Sequence, residues 1–137
     1  MSDTLTFSTV YDYDPTGLGV EVPLTLRSGS RFVDLRAKID CGSTYCVFRR
    51  ATGIRLGLDI ESGVPQWIGT ATGQFLAYGH EVTLTVLDFE TTSIVYFAAE
   101  EHMNRNILGR IGWLNRVRFG LIDYDSRLYL SDYNDPA

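Results

Sequence analysis

Cysteine is scarce in this sequence: Cys41 and Cys46 are the only two in 137 residues. Two thiols in a chain of this size do not make a disulfide framework, so they read as free and mostly buried. Long hydrophobic runs are missing too. The longest, Ile94 to Ala99, is far shorter than the roughly 20 apolar residues that a membrane-spanning helix needs. Met1 to Phe7 carries an Asp and several hydroxyl residues, without the basic start and apolar stretch of a secretory signal. These absences lead us to expect a soluble, cytoplasmic protein with no membrane partner.

Positive charge is in deficit. Lys and Arg number 12 against 17 Asp and Glu, a formal net charge of −5, and nucleic-acid binding, which relies on clustered cations that release counterions, is not expected. Arg49, Arg50 and Arg55 cluster locally, which a solvated face or a dimer contact explains. His80 and His102 belong to no HExxH, paired-cysteine or closely spaced His motif, so no metal site is expected. Gly69 to Gly73 lacks the following Lys and helix of a phosphate loop, and no cofactor is expected. Asp123 and Asp125 have the look of the paired carboxylates of a glycosidase, but their place in a terminal turn reads as a solvated loop.

What is present is the material of one globular domain spanning residues 1–137. Hydrophobic residues make up 45% and aromatic residues 12%, enough for a real core at a size typical of single domains. Turn residues recur about every ten positions, and between them apolar residues alternate with polar ones, the period of half-buried strands. Val20, Val22, Leu24 and Leu26 form one such run. After Ser28-Gly29-Ser30, Val33, Leu35, Ala37 and Ile39 take one face while Asp34, Arg36 and Lys38 take the other, a hairpin leading into Asp40. A second strand-rich block runs from Trp67 to Ala99, and strands near Val117 to Ile122 and Leu128 to Leu130 close the chain through Asp123 to Ser126. Arg49 to Gly57 offers one irregular helical turn, weakened by Gly53 and Gly57; Arg110 to Asn115 is the better helix candidate, with Trp113 and Leu114 turned inward. The expected fold class is all-β with one short helix.

The segment Ala37-Lys38-Ile39-Asp40-Cys41-Gly42-Ser43-Thr44 delivers a carboxylate from an apolar strand into a tight turn of small residues. Alone, that is the ordinary chemistry of turns. Downstream stands Asn106-Ile107-Leu108-Gly109-Arg110, two apolar residues and a glycine. Together, in this order, the two segments resemble the aspartic protease family, in which an Asp-Thr/Ser-Gly loop ends a strand and a hydrophobic-hydrophobic-Gly segment packs behind it. Thr70-Ala71-Thr72-Gly73-Gln74 stands in the place of the family's flap hairpin, and Ala77-Tyr78-Gly79-His80 resembles its returning strand. The likeness runs from about Val20 to Leu130.

The resemblance is to the single-domain, retropepsin-like branch, because Asp34, Asp59, Asp88, Asp123 and Asp125 are not followed by a Gly-Ser or Gly-Thr turn and the chain carries the Asp loop once. It implies a closed or partly closed barrel, and a homodimer acting on a peptide or protein substrate, with Asp40 of each subunit catalytic. Cys41, Gly42 and Ser43 would support the active-site loop, Ser43 by bonding the outer carboxylate oxygen. Thr70 to Gln74 and Tyr78 would form the flap and contact substrate, and Ile107, Leu108 and Gly109 would form the psi-shaped backing. Trp67 and Trp113 also invite a place in the groove, although Trp113 reads better as core. One position departs from the family: Cys41 stands where a hydroxyl residue is usual, and a thiol is the weaker donor. A redox role for it is disfavoured, since a nearby anion makes the thiolate rarer; a small residue in a tight loop is the plainer reading. The departure keeps a runner-up function in view, a non-catalytic dimerisation or peptide-binding module.

Overall fold

Alternating apolar residues on either side of Gly29 make the hairpin that positions the site. In a computed structural model, which describes residues 2–135 of the expected 1–137 domain, β1 (Thr9–Asp12) is followed by β2 (Glu21–Ser28) and β3 (Arg31–Ile39). β2 and β3 pair antiparallel from Glu21↔Lys38 to Ser28↔Arg31, and Gly29 supplies a φ of 59° at the turn, a conformation that glycine adopts without steric cost. Val22, Leu24, Leu26, Val33 and Ala37 are buried while Asp34 and Arg36 are exposed, as the alternation requires.

The chain continues through β4 (Val47–Phe48), α1 (Arg50–Arg55), β5 (Val64–Thr70), β6 (Gly73–Val86), β7 (Phe89–Ala98), β8 (Ile107–Leu108), β9 (Val117–Ile122) and β10 (Arg127–Asp132). The larger sheet has the order β2-β3-β8-β4-β7-β6-β5, and β2 also pairs with β6, which closes it into a barrel. Closure covers the edge of β2 and leaves β5 as an edge strand. β6 is the beam of this construction. Its first residues, Gly73 to Gly79, pair with β5, whereas Thr83 to Val86 pair with β2. One strand therefore belongs to a projecting hairpin at one end and to the barrel wall at the other. Inside, Leu24, Leu26, Leu84, Val95, Phe97, Leu108 and Trp113 belong to the main core; Val47, Ile68 and Ala77 form a second cluster beneath the β5–β6 hairpin. The smaller sheet, β1-β10-β9, joins the two ends of the described chain.

Two expectations need correction. The helix lies at Arg50–Arg55, not at Arg110 to Asn115. Gly53 does not break it, because a Cβ there would lie 2.4 Å from Ile60 Cδ1 and 2.9 Å from Phe97 Cδ1, so glycine is what lets the helix seat on the core. In the other segment the Arg110 and Ile111 amides donate to Ser43 and Thr44, and Gly112 has a φ of 103°. The backbone is thus committed elsewhere, and only a 3₁₀ turn at Leu114–Arg116 forms. Trp113 and Leu114 nevertheless pack inward as expected. The second correction concerns the thiols: Cys46 is buried, but Cys41 is exposed.

Candidate active site

β3 ends at Ile39, and Asp40 is the first residue of the loop beyond it. The loop is stitched to itself: the Gly42 N–H donates to Asp40 Oδ1 at 2.8 Å and the Ser43 N–H to the Asp40 carbonyl at 3.1 Å. These bonds fix the carboxyl group within an Asx-type turn. The Asp40 side chain is half-buried, and no ion pair to it exists among the described residues.

A second segment crosses behind this loop. β8 runs parallel to β3, with Ile39 opposite Leu108, and the Asp40 N–H donates to the Leu108 carbonyl at 3.0 Å. The chain then passes Gly109, and the Arg110 and Ile111 amides donate to the Ser43 and Thr44 carbonyls at 2.9 and 2.8 Å. The crossing segment is bonded both before and after the turn that holds Asp40. Gly109 is essential to the approach, since a Cβ on it would stand 2.2 Å from the Tyr45 carbonyl oxygen and 2.8 Å from that of Ser43. Behind it, the Gly109 N–H points at Cys46 Sγ at 3.4 Å. Burial pushes the Cys46 thiol up to about 11, against a smaller opposing effect of the Gly109 backbone.

The β5–β6 hairpin overhangs the loop. Thr70 pairs with Gly73, leaving Ala71 and Thr72 at the tip, and Thr70 Oγ1 donates to the Gly73 carbonyl at 3.2 Å. Gly73 has a φ of 152°, at the margin of the region that favours glycine. A cleft of about 530 Å³ opens between loop and hairpin. The Asp loop contributes Asp40, Gly42 and Ser43 to its lining, the hairpin contributes residues from Ile68 to Thr72 and Phe75, and the chain before and within β8 contributes Met103, Arg105 and Ile107. Val47, Ile68, Phe75 and Met103 give it an apolar side continuous with the second core cluster.

The structure thus brings Asp40, Gly42, Ser43, Thr70, Ala71, Thr72 and Ile107 to one cleft. Gly73 and Gln74 line an adjoining cleft with His102 and Met103. Leu108 and Gly109 stand behind the loop, and Cys41 is exposed at its edge. Tyr78 packs against the main core rather than in the cleft, Trp113 is buried, and Trp67 is exposed. Ser43 Oγ donates to the Tyr45 carbonyl at 2.8 Å, not to the Asp40 carboxylate. Sequence reasoning missed Ile68, Phe75, Met103 and Arg105 as lining residues. Met103 and Arg105 stand four and two positions before Ile107; once that segment is placed beside the Asp strand, their neighbourhood to Asp40 follows.

No family model and no curated protein matches the sequence. Among solved structures the chain is similar to an EIAV protease complexed with the inhibitor HBY-793, with a TM-score of 0.52 over 66% of this chain and 80% of that one. The fold is retropepsin-like. At 19% identity the likeness is one of architecture. Among the described residues no helix is long and apolar enough to cross a membrane.

Proposed function

We propose that this retropepsin-like chain is the subunit of a homodimeric aspartic endopeptidase. The observation that carries the reading is the position of Asp40, held by its own loop amides at the end of β3, backed by the β8 crossing and facing a cleft under a hairpin. One carboxylate does not suffice for the reaction. Peptide hydrolysis by this route needs one group to take a proton from the attacking water and another to give a proton to the carbonyl oxygen. Two carboxyl groups brought close cannot easily both ionise, so they share a proton and supply both functions, titrating as a unit. With one Asp loop per chain, the second carboxyl group is Asp40 of another copy. The edge strand β9, with Leu121 and Ile122 exposed, is a surface on which a second copy can dock. Substrate would lie extended in the cleft, its backbone paired with the hairpin and its side chains alternating between the apolar side and the Arg105 side.

The test is Asp40→Asn. Cleavage of a denatured-protein or peptide library should fall by about 10²–10⁴-fold, while sedimentation shows an unchanged dimer. Equal proteolysis by the variant would sink the mechanism.

A second reading, a peptide-binding or dimerisation module without catalysis, is favoured by Cys41 in place of a hydroxyl and by Ser43 turning to Tyr45 instead of Asp40. Peptide binding without any Asp40-dependent cleavage between acid and neutral pH would support it.

A further inference from the structure

Arg105 stands where three clefts meet. It and Ile107 line the cleft at Asp40 and also a neighbouring one of about 560 Å³, to which Glu21, Arg36, Lys38 and Arg49 contribute. Four of the chain's 12 cationic residues therefore gather beside the site in a molecule with net charge −5, against a single carboxylate in the same lining. The gathering is built into the backbone. Arg36 and Lys38 project from the polar face of β3, and Asn106 clasps the main chain of three of the cations: its carbonyl accepts from the Lys38 N–H at 2.9 Å, its Oδ1 from the Arg49 N–H at 3.2 Å, and its Nδ2 donates to the Arg36 carbonyl at 3.4 Å. Arg36 is partly compensated, by a bond to the Tyr11 hydroxyl and by the nearby charges of Glu21 and Asp14. Lys38, Arg49 and Arg105 make no ion pair among the described residues.

Cations at the rim of a groove that make no ion pair among the described residues, although Glu21 stands opposite Lys38 across the β2–β3 hairpin, favour carboxylate side chains, which a guanidinium can bind through two parallel N–H bonds. We propose that the site takes acidic segments: an extended peptide with Asp or Glu within about two residues of the backbone held over Asp40, that carboxylate pairing with Arg105, and a further acidic residue reaching Lys38 and Arg49. The inference rests on the peptide-binding part of the reading above and not on catalysis.

The two are separated by measuring binding with Asp40→Asn chains and cleavage with wild type. Fluorescent peptides that differ only in Glu against Gln are titrated by anisotropy at low salt. The Glu form should bind about tenfold more tightly, and the ratio should shrink as salt is raised from about 0.05 to 0.5 M. Arg105→Gln should bring the ratio close to one, Arg105→Glu should invert it, and Arg49→Gln should lower it in part. In wild type the same preference should appear in kcat/KM. Selective, Arg105-dependent binding, with wild type cleaving neither peptide, leaves this inference standing and removes the proteolytic reading. Cleavage with equal kcat/KM for the two forms does the reverse. Binding of neither peptide overturns the proposal. So does a single-stranded oligonucleotide that displaces the acidic peptide more effectively than the peptide itself. So does an Arg105→Glu variant that dissociates the dimer while peptide selectivity stays intact, which would give the cations to a second copy.

Discussion

Gly109 bears the tightest steric constraint at the site. The added methyl of Gly109→Ala would meet the Tyr45 carbonyl at 2.2 Å, a backbone atom that cannot turn aside. We expect a loss of about 1–3 kcal/mol in urea denaturation, with the Asp40 loop displaced from β8 and peptide binding weakened; unchanged stability would mean that the crossing is loose. The cysteines give a second residue-scale expectation. Cys46 is buried and its thiol is pushed up to about 11 by that burial, so it should stay unlabelled in the native chain and react only in denaturant. Cys41 is exposed on one chain but adjoins Asp40. Its labelling should be fast at low protein concentration and slow as the proposed dimer forms, and a rate independent of concentration would place it away from the interface. At this scale the sequence was informative wherever a residue's role is set by its neighbours in the chain. Asp40, Gly42, Ile107 and Gly109 could be picked out because strand, turn and close backbone approach each leave a local signature. Arg105 could not, since it lies in a loop without periodicity and gains its neighbours only through the fold. The Ser43 hydroxyl was misassigned for a related reason: its partner depends on where the Tyr45 carbonyl turns.

Strands were legible where alternation reports burial on one face, and the β2–β3 hairpin follows from it directly, whereas the β5–β6 hairpin was legible only through the family resemblance. The helix was not. A glycine inside a short helix lowers propensity by about 1 kcal/mol, and the compensating gain, close seating of Gly53 against Ile60 and Phe97, is tertiary. The same holds for Arg110 to Asn115, where the Arg110 and Ile111 amides are taken by the crossing at Ser43 and Thr44 and the Gly112 amide by Asn115 Oδ1. The smaller sheet supplies a pH-dependent expectation. The Tyr13 hydroxyl donates to Asp123, tying the chain after β1 to the turn between β9 and β10, and this bond, with burial and the carboxylate charge adding to it, pushes the phenol up to about 12. A phenol raised above its unfolded value near 10 contributes stability that is fully present below that pH and is lost as pH rises through about 12. Ultraviolet titration should therefore show a step near pH 12 from Tyr13, distinct from that of Tyr96, whose phenol burial also raises, and Tyr13→Phe should remove the step near 12 and flatten the loss of stability at high pH. A step near pH 12 that survives the substitution would contradict the clasp.

For the molecule as a whole, the barrel and its β6 beam hold a hairpin over a loop with one carboxylate, and the chemistry asks for two. In the proposed homodimer, a two-fold axis near the loop would bring each copy's Asp40 to the other's. Such a pair would also place two Arg105 rims around one groove, so a substrate acidic on both sides of the scissile bond would be bound best. The most direct measurement is subunit mixing. Wild type is re-equilibrated with an equal amount of Asp40→Asn, and cleavage is compared with unmixed wild type at the same total chain concentration. If every active site needs two Asp40 residues, only about a quarter of randomly formed dimers are competent, and activity should fall to about a quarter. Activity of about one half would show that each chain is complete in itself and would contradict the account, as would the absence of any cleavage by the unmixed wild type.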